Sequence, residues 1–302
     1  MSKVIVVGTL AFDTIETPYG KVERVIGGSA PFASLAAKTK NIECAVVSII
    51  GNDFPKSYLD LLVSKGINIS EVQIEKDGKS FFWCGKYHDN MNRRDTLETQ
   101  VNVLANFDPK IPENFKNPEV LVLGNLDPKV QLSIVSQFDK KPNFIMLDTM
   151  NFWMDHTLDN LMKIISKVDL ICINDEEVIQ LSGCSNHDLG IKKILTMGPK
   201  YLIMKKGEYG ATLYSDESEF FCPSFKVKKV IDPTGAGDSF AGAFAGYLAE
   251  SKNYTFEFIS SALIYANAVA SFCVEKFGIE NMLNISKDEI DKRISLIKKH
   301  NN

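Results

Sequence analysis

Histidine is scarce in this chain and cysteine is scattered. Its 302 residues include 4 His and 6 Cys. Cys44, Cys84, Cys172, Cys184, Cys222 and Cys273 form no Cys-x-x-Cys pair, and no His cluster accompanies them. The pattern reads as separate buried thiols in a reducing cytoplasm. A charge surplus is also missing. With 34 basic and 38 acidic residues the net charge is −4, which gives no electrostatic case for nucleic acid or an anionic membrane. The first apolar run, after Met1-Ser2-Lys3, is too short for a signal peptide, and no cleavage site follows. No uninterrupted apolar stretch reads as long enough to span a bilayer. The expectation is a cytoplasmic protein. Three nucleotide or hydrolase signatures are absent too: no P-loop, no Gly-x-Gly-x-x-Gly after the first strand, and no Gly-x-Ser-x-Gly elbow.

What is present is ordinary globular material, 45% hydrophobic and 24% charged, with no repeat, low-complexity segment or clear linker. One domain over 1–302 is expected. Predominantly apolar runs at Val4–Val7, Cys44–Ile50, Val120–Leu123, Phe144–Leu147, Asp169–Ile173 and Tyr201–Met204 read as strands, and the unbroken ones suit burial on both faces, as in a parallel sheet. Helix-like segments lie between most of them. Residues 14–26 and 67–105 differ: they are rich in β-formers and turns and read as an antiparallel flap over the mouth of a site. In a strand over 81–88, Phe81, Trp83 and Tyr87 share one face. That aromatic face either packs, on the body or on another subunit's flap, or stacks on a ligand ring. Arg93 and Arg94 follow, as solvated charge or as an arginine reaching a ligand.

The most specific stretch is Asp232-Pro-Thr-Gly-Ala-Gly-Asp238, a loop running into a helix of small and aromatic residues. Gly235 and Gly237 permit unusual backbone angles and close ligand approach. Free amides and the dipole at the helix start favour an anion such as phosphate. Asp238 in the first turn repels that anion, so it makes sense as the acceptor of a proton from an attacking hydroxyl.

This stretch resembles the signature Asp-Thr-x-Gly-Ala-Gly-Asp of the ribokinase (PfkB-type) family of sugar and nucleoside kinases, with Pro233 where Thr is usual. Gly27-Gly28 before a helix resembles the family's N-terminal signature, with Phe32 where Asn is common. Asn174-x-x-Glu177 and the Gly207-x-x-Gly210 turn match further signatures in the family's order. The resemblance implies a ribokinase-like three-layer α/β/α domain with a mostly parallel central sheet and a small β-lid. It implies ATP and Mg²⁺ as cofactors, and K⁺ near Asp232 in some members. It implies an acceptor pocket of Asp13, Gly27, Gly28 and Phe32, with Asp148 and Asn151 nearby. Asp238 is then the base, and Gly235, Ala236 and Gly237 stabilise the transferring group. Asn174 and Glu177 serve the metal and phosphates. Lys205, Gly207, Gly210, Asn267 and Gly278 border the nucleotide. The expected reaction is phosphoryl transfer to a hydroxyl of a small sugar, or alternatively of a nucleoside stacked by the lid aromatics. A homodimer through the lid is a further expectation; a non-catalytic metabolite sensor and a structural or protein-binding role through the aromatic lid are the alternatives outside the enzymes.

Overall fold

The computed structural model describes residues 1–300. β1 (Lys3–Val7) lies inside a nine-stranded sheet, between β4 (Glu43–Gly51) and β8 (Val120–Leu123). Beyond β4 lies only β5 (Ile67–Glu75). On the other side β8 leads to β9 (Phe144–Asp148), β10 (Leu170–Asn174), β11 (Tyr201–Lys205), β12 (Ala211–Tyr214) and β13 (Glu219–Cys222). Every pairing from β5 to β11 is parallel, and the last two are antiparallel. The strand order therefore reverses at β1/β8, and ligands of open α/β sheets sit beyond strand ends at such a point.

Both faces of the sheet are covered, which explains the continuous apolar runs. Along β1, Val4 and Val6 enter one core while Ile5 and Val7 enter the other. The first core takes residues from α1 (Ser29–Ala37), α2 (Lys56–Ser64), α8 (Ala236–Leu248), α9 (Phe256–Cys273) and α10 (Lys287–His300). The second takes residues from α3 (Pro128–Ser136), α4 (Asn151–His156), α5 (Leu158–Ile165), α6 (Asp175–Ser182) and α7 (His187–Leu195). The small residues of α8 let it lie against α1: a Cβ on Gly242 would stand 1.9 Å from the carbonyl oxygen of Ala33. α9 is by itself long and apolar enough to cross a bilayer, contrary to the sequence reading, but 61% of it is buried, as suits a core helix.

A second sheet of four strands runs in the order β3 (Gly20–Gly27), β2 (Ala11–Thr17), β6 (Phe81–Tyr87), β7 (Arg94–Gln100). The expected flap boundaries need correction here. Residues 67–75 pair in parallel with β4 and extend the main sheet. Residues 11–13 belong to the small sheet. β5 carries β-formers, but nothing local in it selects one sheet over the other.

The small sheet is docked on the rest of the chain. Ile15, Tyr87 and Met91 form an apolar cluster with Trp83, Val22 and Val25 of the small sheet and with Val230 and Phe277 of the body. Asn92, in the β6–β7 turn, donates to Glu208 Oε1 at 3.0 Å. Of the two readings of the aromatic face, packing on the body is the one seen for Tyr87, which meets Thr234; Trp83 packs in the same cluster, beside Thr96 and Arg94 of the small sheet.

Candidate active site

The ends of β1, β9, β10 and β11 converge with the start of α8. Gly28 has φ 83°, and a Cβ there would meet the Thr9 carbonyl oxygen at 2.4 Å, so glycine is required both for the angle and for the approach. Thr9 in turn fastens the helix start: its Oγ1 accepts from Ser29 N at 3.0 Å and its carbonyl from Ala30 N at 3.0 Å. Asp13 is 4% exposed, lies against Gly27, and accepts from Gly28 N at 3.4 Å. Burial pushes its carboxyl up to about 7; the Gly28 amide opposes this, Asp232 and Asp238 add to it, and Arg94 opposes it.

The glycine loop stands opposite. Gly235 has φ 77° and caps α8 without a side-chain partner. Its bare Cα rests on Phe32, whose ring atoms a Cβ would meet at 2.5 Å. Phe32 is 1% exposed and is therefore a support beneath the loop, not a face offered to an acceptor. The Ala236 amide donates to Pro233 O at 3.2 Å, which removes it from the expected anion donors and leaves Gly235 and Gly237.

Asp238 is half-buried in the first turn of α8. Loss of solvent and the nearby Asp148 carboxylate push it up to about 7, while Lys205 and Arg94 pull it down. Lys205, at the end of β11, bonds Asp148 Oδ1 at 3.1 Å. Burial alone would lower the Lys205 pKa, but Asp148, Cys172 and Glu177 together more than offset it and the ammonium is held. Lys205 Nζ also lies 3.4 Å from where a Cβ on Gly237 would stand. Asp148 thus sits with the lysine and the helix start.

Asn174 and Glu177 form a capping box on α6: each side chain bonds the other's backbone N–H at 2.8 Å. Asn174 is accordingly engaged as a cap, and Glu177 has only Oε2 committed in that box. Burial pushes Glu177 up to about 7 against the pull of Lys205. Among the described residues no three His, Cys, Asp or Glu side chains converge into a metal cage. Glu177, whose Oε1 lies outside the capping box, would suit Mg²⁺, which keeps waters and uses few carboxylates.

Asp232 is fully buried. Its two oxygens accept from Thr234 N at 2.9 Å and Gly278 N at 3.0 Å. Burial raises its pKa, and hydrogen bonding from Gly278 and Thr234 opposes the rise; among the described residues no cationic side chain contributes.

Several expected residues lie elsewhere. Asn151 is exposed on α4 and bonds Gln180 at 2.7 Å, tying α4 to α6 rather than lining a pocket. Asn267 is 8% exposed and donates back to Leu263 O within α9. Gly207 and Gly210 adopt φ 52° and 105° in the expected turn, where Asn92 of the small sheet approaches Gly207. Arg94 gains a role that sequence left open. It pairs across from Tyr87 in the small sheet, and its charge lowers the Asp13, Glu177 and Asp238 carboxyls, so all three lie within its electrostatic reach. No local signal separated it from Arg93, because its neighbours come from distant parts of the chain.

Proteins of known sequence and structure resemble this chain. The chain is 29% identical over 252 residues to the cytidine kinase of Thermococcus kodakarensis, covering 82% of this chain and 89% of that protein. It is 27% identical over 318 residues to the nucleoside kinase of Methanocaldococcus jannaschii, covering 99% and 98%. The crystal structure of that nucleoside kinase, an archaeal member of the ribokinase family, superposes with a TM-score of 0.80 at 22% identity over 98% of this chain and 99% of that one. A ribokinase II-type structure from E. coli with ATP and Mg²⁺ bound has a TM-score of 0.78 at 21% identity, covering 98% and 100%. These likenesses fix the fold. The sequence pattern of the pfkB carbohydrate kinases matches residues 1–285, nearly the whole chain, and places it among the phosphotransferases that act on hydroxyl groups. The chain belongs to the pfkB family of carbohydrate kinases.

Proposed function

We propose that this kinase transfers the γ-phosphoryl group of ATP to a hydroxyl of a nucleoside. The observation that carries the phosphotransfer is the grouping of Asp13, Asp238, Lys205 and Arg94 around the glycine loop. Of the two acceptor classes read from the sequence, the nucleoside has the better support. The relatives include named cytidine and nucleoside kinases. Phe32, where a sugar-binding Asn is common, is buried and reads no hydroxyl. The lid aromatics do not add to this, since Tyr87 is buried against the body and Trp83 packs within the small-sheet cluster.

In this reading Asp13 and the Gly28 region hold the acceptor. Asp238 orients the attacking hydroxyl and takes its proton as the new O–P bond forms and the bond to ADP breaks. The Gly235 and Gly237 amides, with Lys205 and Arg94, face the charge on the transferring group. Mg²⁺ bound with the nucleotide near Glu177 would neutralise phosphate charge. A buried carboxylate without a cationic partner fits Asp232 as a ligand of K⁺. The small sheet, closed on the body, would keep water from the phosphoryl group.

A coupled ADP-release assay over nucleosides, pentoses, hexoses and sugar acids tests the assignment. Nucleosides should lead in kcat/KM by about 10-fold or more, a margin that discriminating polar contacts readily supply. A pentose or hexose in first place would overturn the nucleoside reading and leave the kinase family intact.

A further inference from the structure

Tyr87 ends β6, and its hydroxyl joins two parts of the molecule. Thr234 Oγ1, in the glycine loop, donates to Tyr87 Oη at 3.1 Å across 147 positions of sequence. The tyrosine is 5% exposed, and its ring lies in the apolar cluster with Ile15, Met91, Val230 and Phe277. A phenylalanine would fill the same space, so the cluster does not require the hydroxyl. Tyr87 is also the cross-strand partner of Arg94. Paired residues project from the same face of a sheet, and the Arg94 charge beside it opposes the rise that burial gives the Tyr87 hydroxyl.

The two ends of this junction differ in firmness. Thr234 is fixed from several sides: its N–H donates to Asp232 Oδ1 at 2.9 Å, and its carbonyl accepts from Cys273 Sγ at 3.3 Å. Arg94 begins β7, the edge strand of the small sheet, whose residues are all exposed. Beyond its strand, the guanidinium has the Trp83 ring beside it at 5.8 Å, a contact of the same small sheet that does not tie it to the body. An ordinary satisfied buried tyrosine would bond nearby backbone; this one links the edge-strand arginine to the loop that begins α8.

We propose that Tyr87 is a positioning residue: its hydroxyl registers the small sheet on Thr234 and so holds Arg94 over the place where the phosphoryl group is transferred. This rests on the phosphotransfer reading of the same site. Tyr87 touches neither acceptor nor nucleotide in this scheme and acts through Arg94.

The test is a kinetic cycle with a structural readout. Tyr87→Phe should lower kcat by about 10-fold while the KM for ATP stays within about 2-fold, the signature of an interaction needed in the transition state. In an Arg94→Ala background the same change should cost less than about 2-fold further, because residues acting as a unit are not additive. Thr234→Val should reproduce the loss, and Thr234→Ser, which keeps the hydroxyl, should retain activity. In a Trp153→Phe background Trp83 is the only indole. It shares the Tyr87 cluster, so Tyr87→Phe should increase its quenching by acrylamide. An equal kcat loss with and without Arg94 would overturn the proposal, as would unchanged kcat in Tyr87→Phe. Full activity in Thr234→Val would do the same. If the unmodified chain releases no ADP with any acceptor, the phosphotransfer reading fails. The quenching comparison then still decides the contact: unchanged Trp83 access means the hydroxyl does not register the sheet.

Discussion

Replacing Asp238 by Asn separates the catalytic from the structural consequence of one carboxylate. Its ordinary value of 3.8 is raised to about 7 by loss of solvent and by Asp148. The native state therefore holds this proton more tightly than the unfolded chain. The associated stability is fully present below the unfolded value and is lost as pH rises through about 7. Fully expressed, that rise corresponds to roughly 4 kcal/mol at pH above the native value. Asp238 keeps partial access to solvent, so about half, ~2 kcal/mol, is a realistic magnitude. At about 2.1 cal/mol/K of unfolding entropy per residue, a chain of this length shifts its melting temperature by about 1.5 °C per kcal/mol. Asp238→Asn should thus melt about 3 °C above the unmodified chain at pH 8, with the gap narrowing toward pH 5. The same variant should lose about 10²-fold or more in kcat and still bind nucleotide, the usual scale for a positioned base. Calorimetry at both pH values and coupled ADP release check the two halves. A variant that is less stable at pH 8, or that turns over normally, refutes the electrostatic reasoning.

Lys205→Met should leave the Asp148 carboxylate without its partner and cost about 3 kcal/mol at neutral pH, read from urea midpoints. Adding Asp148→Asn should recover most of that stability; no recovery would mean the pair is not what holds the lysine. Gly242→Ala sets two effects against each other. Alanine favours the helix by about 1 kcal/mol, but its methyl group would meet the Ala33 carbonyl, an overpacking cost of about 3 kcal/mol. Net destabilisation by about 2 kcal/mol is expected in denaturant titration, and a more stable variant would contradict the close α1–α8 contact.

Much of the architecture was legible because its causes are local. The runs at Val4–Val7 and Tyr201–Met204 are apolar on both faces and lie inside a sheet covered on both sides. The glycine loop was legible because Gly235 needs a left-handed angle and a close neighbour. Asn174 and Glu177 show the limit of spacing. Three positions apart, they face one another as a capping box, and the same spacing was read as a metal and phosphate site. Phe32 was misplaced because its neighbour is Gly235, some two hundred residues away. Tyr87, Thr234 and Arg94 were not legible together, since the contact depends on how the small sheet docks on the body. The strand over 67–75 failed for a related reason: partner choice is a property of the assembled sheet.

The most direct measurement follows both products of one reaction. The chain, ATP, Mg²⁺ and cytidine are mixed, and ADP and phosphorylated nucleoside are quantified over time. The account predicts that the two appear in equal amounts, and that Asp238→Asn suppresses both. ADP formed without phosphorylated nucleoside, or equal yields from the variant, would contradict it.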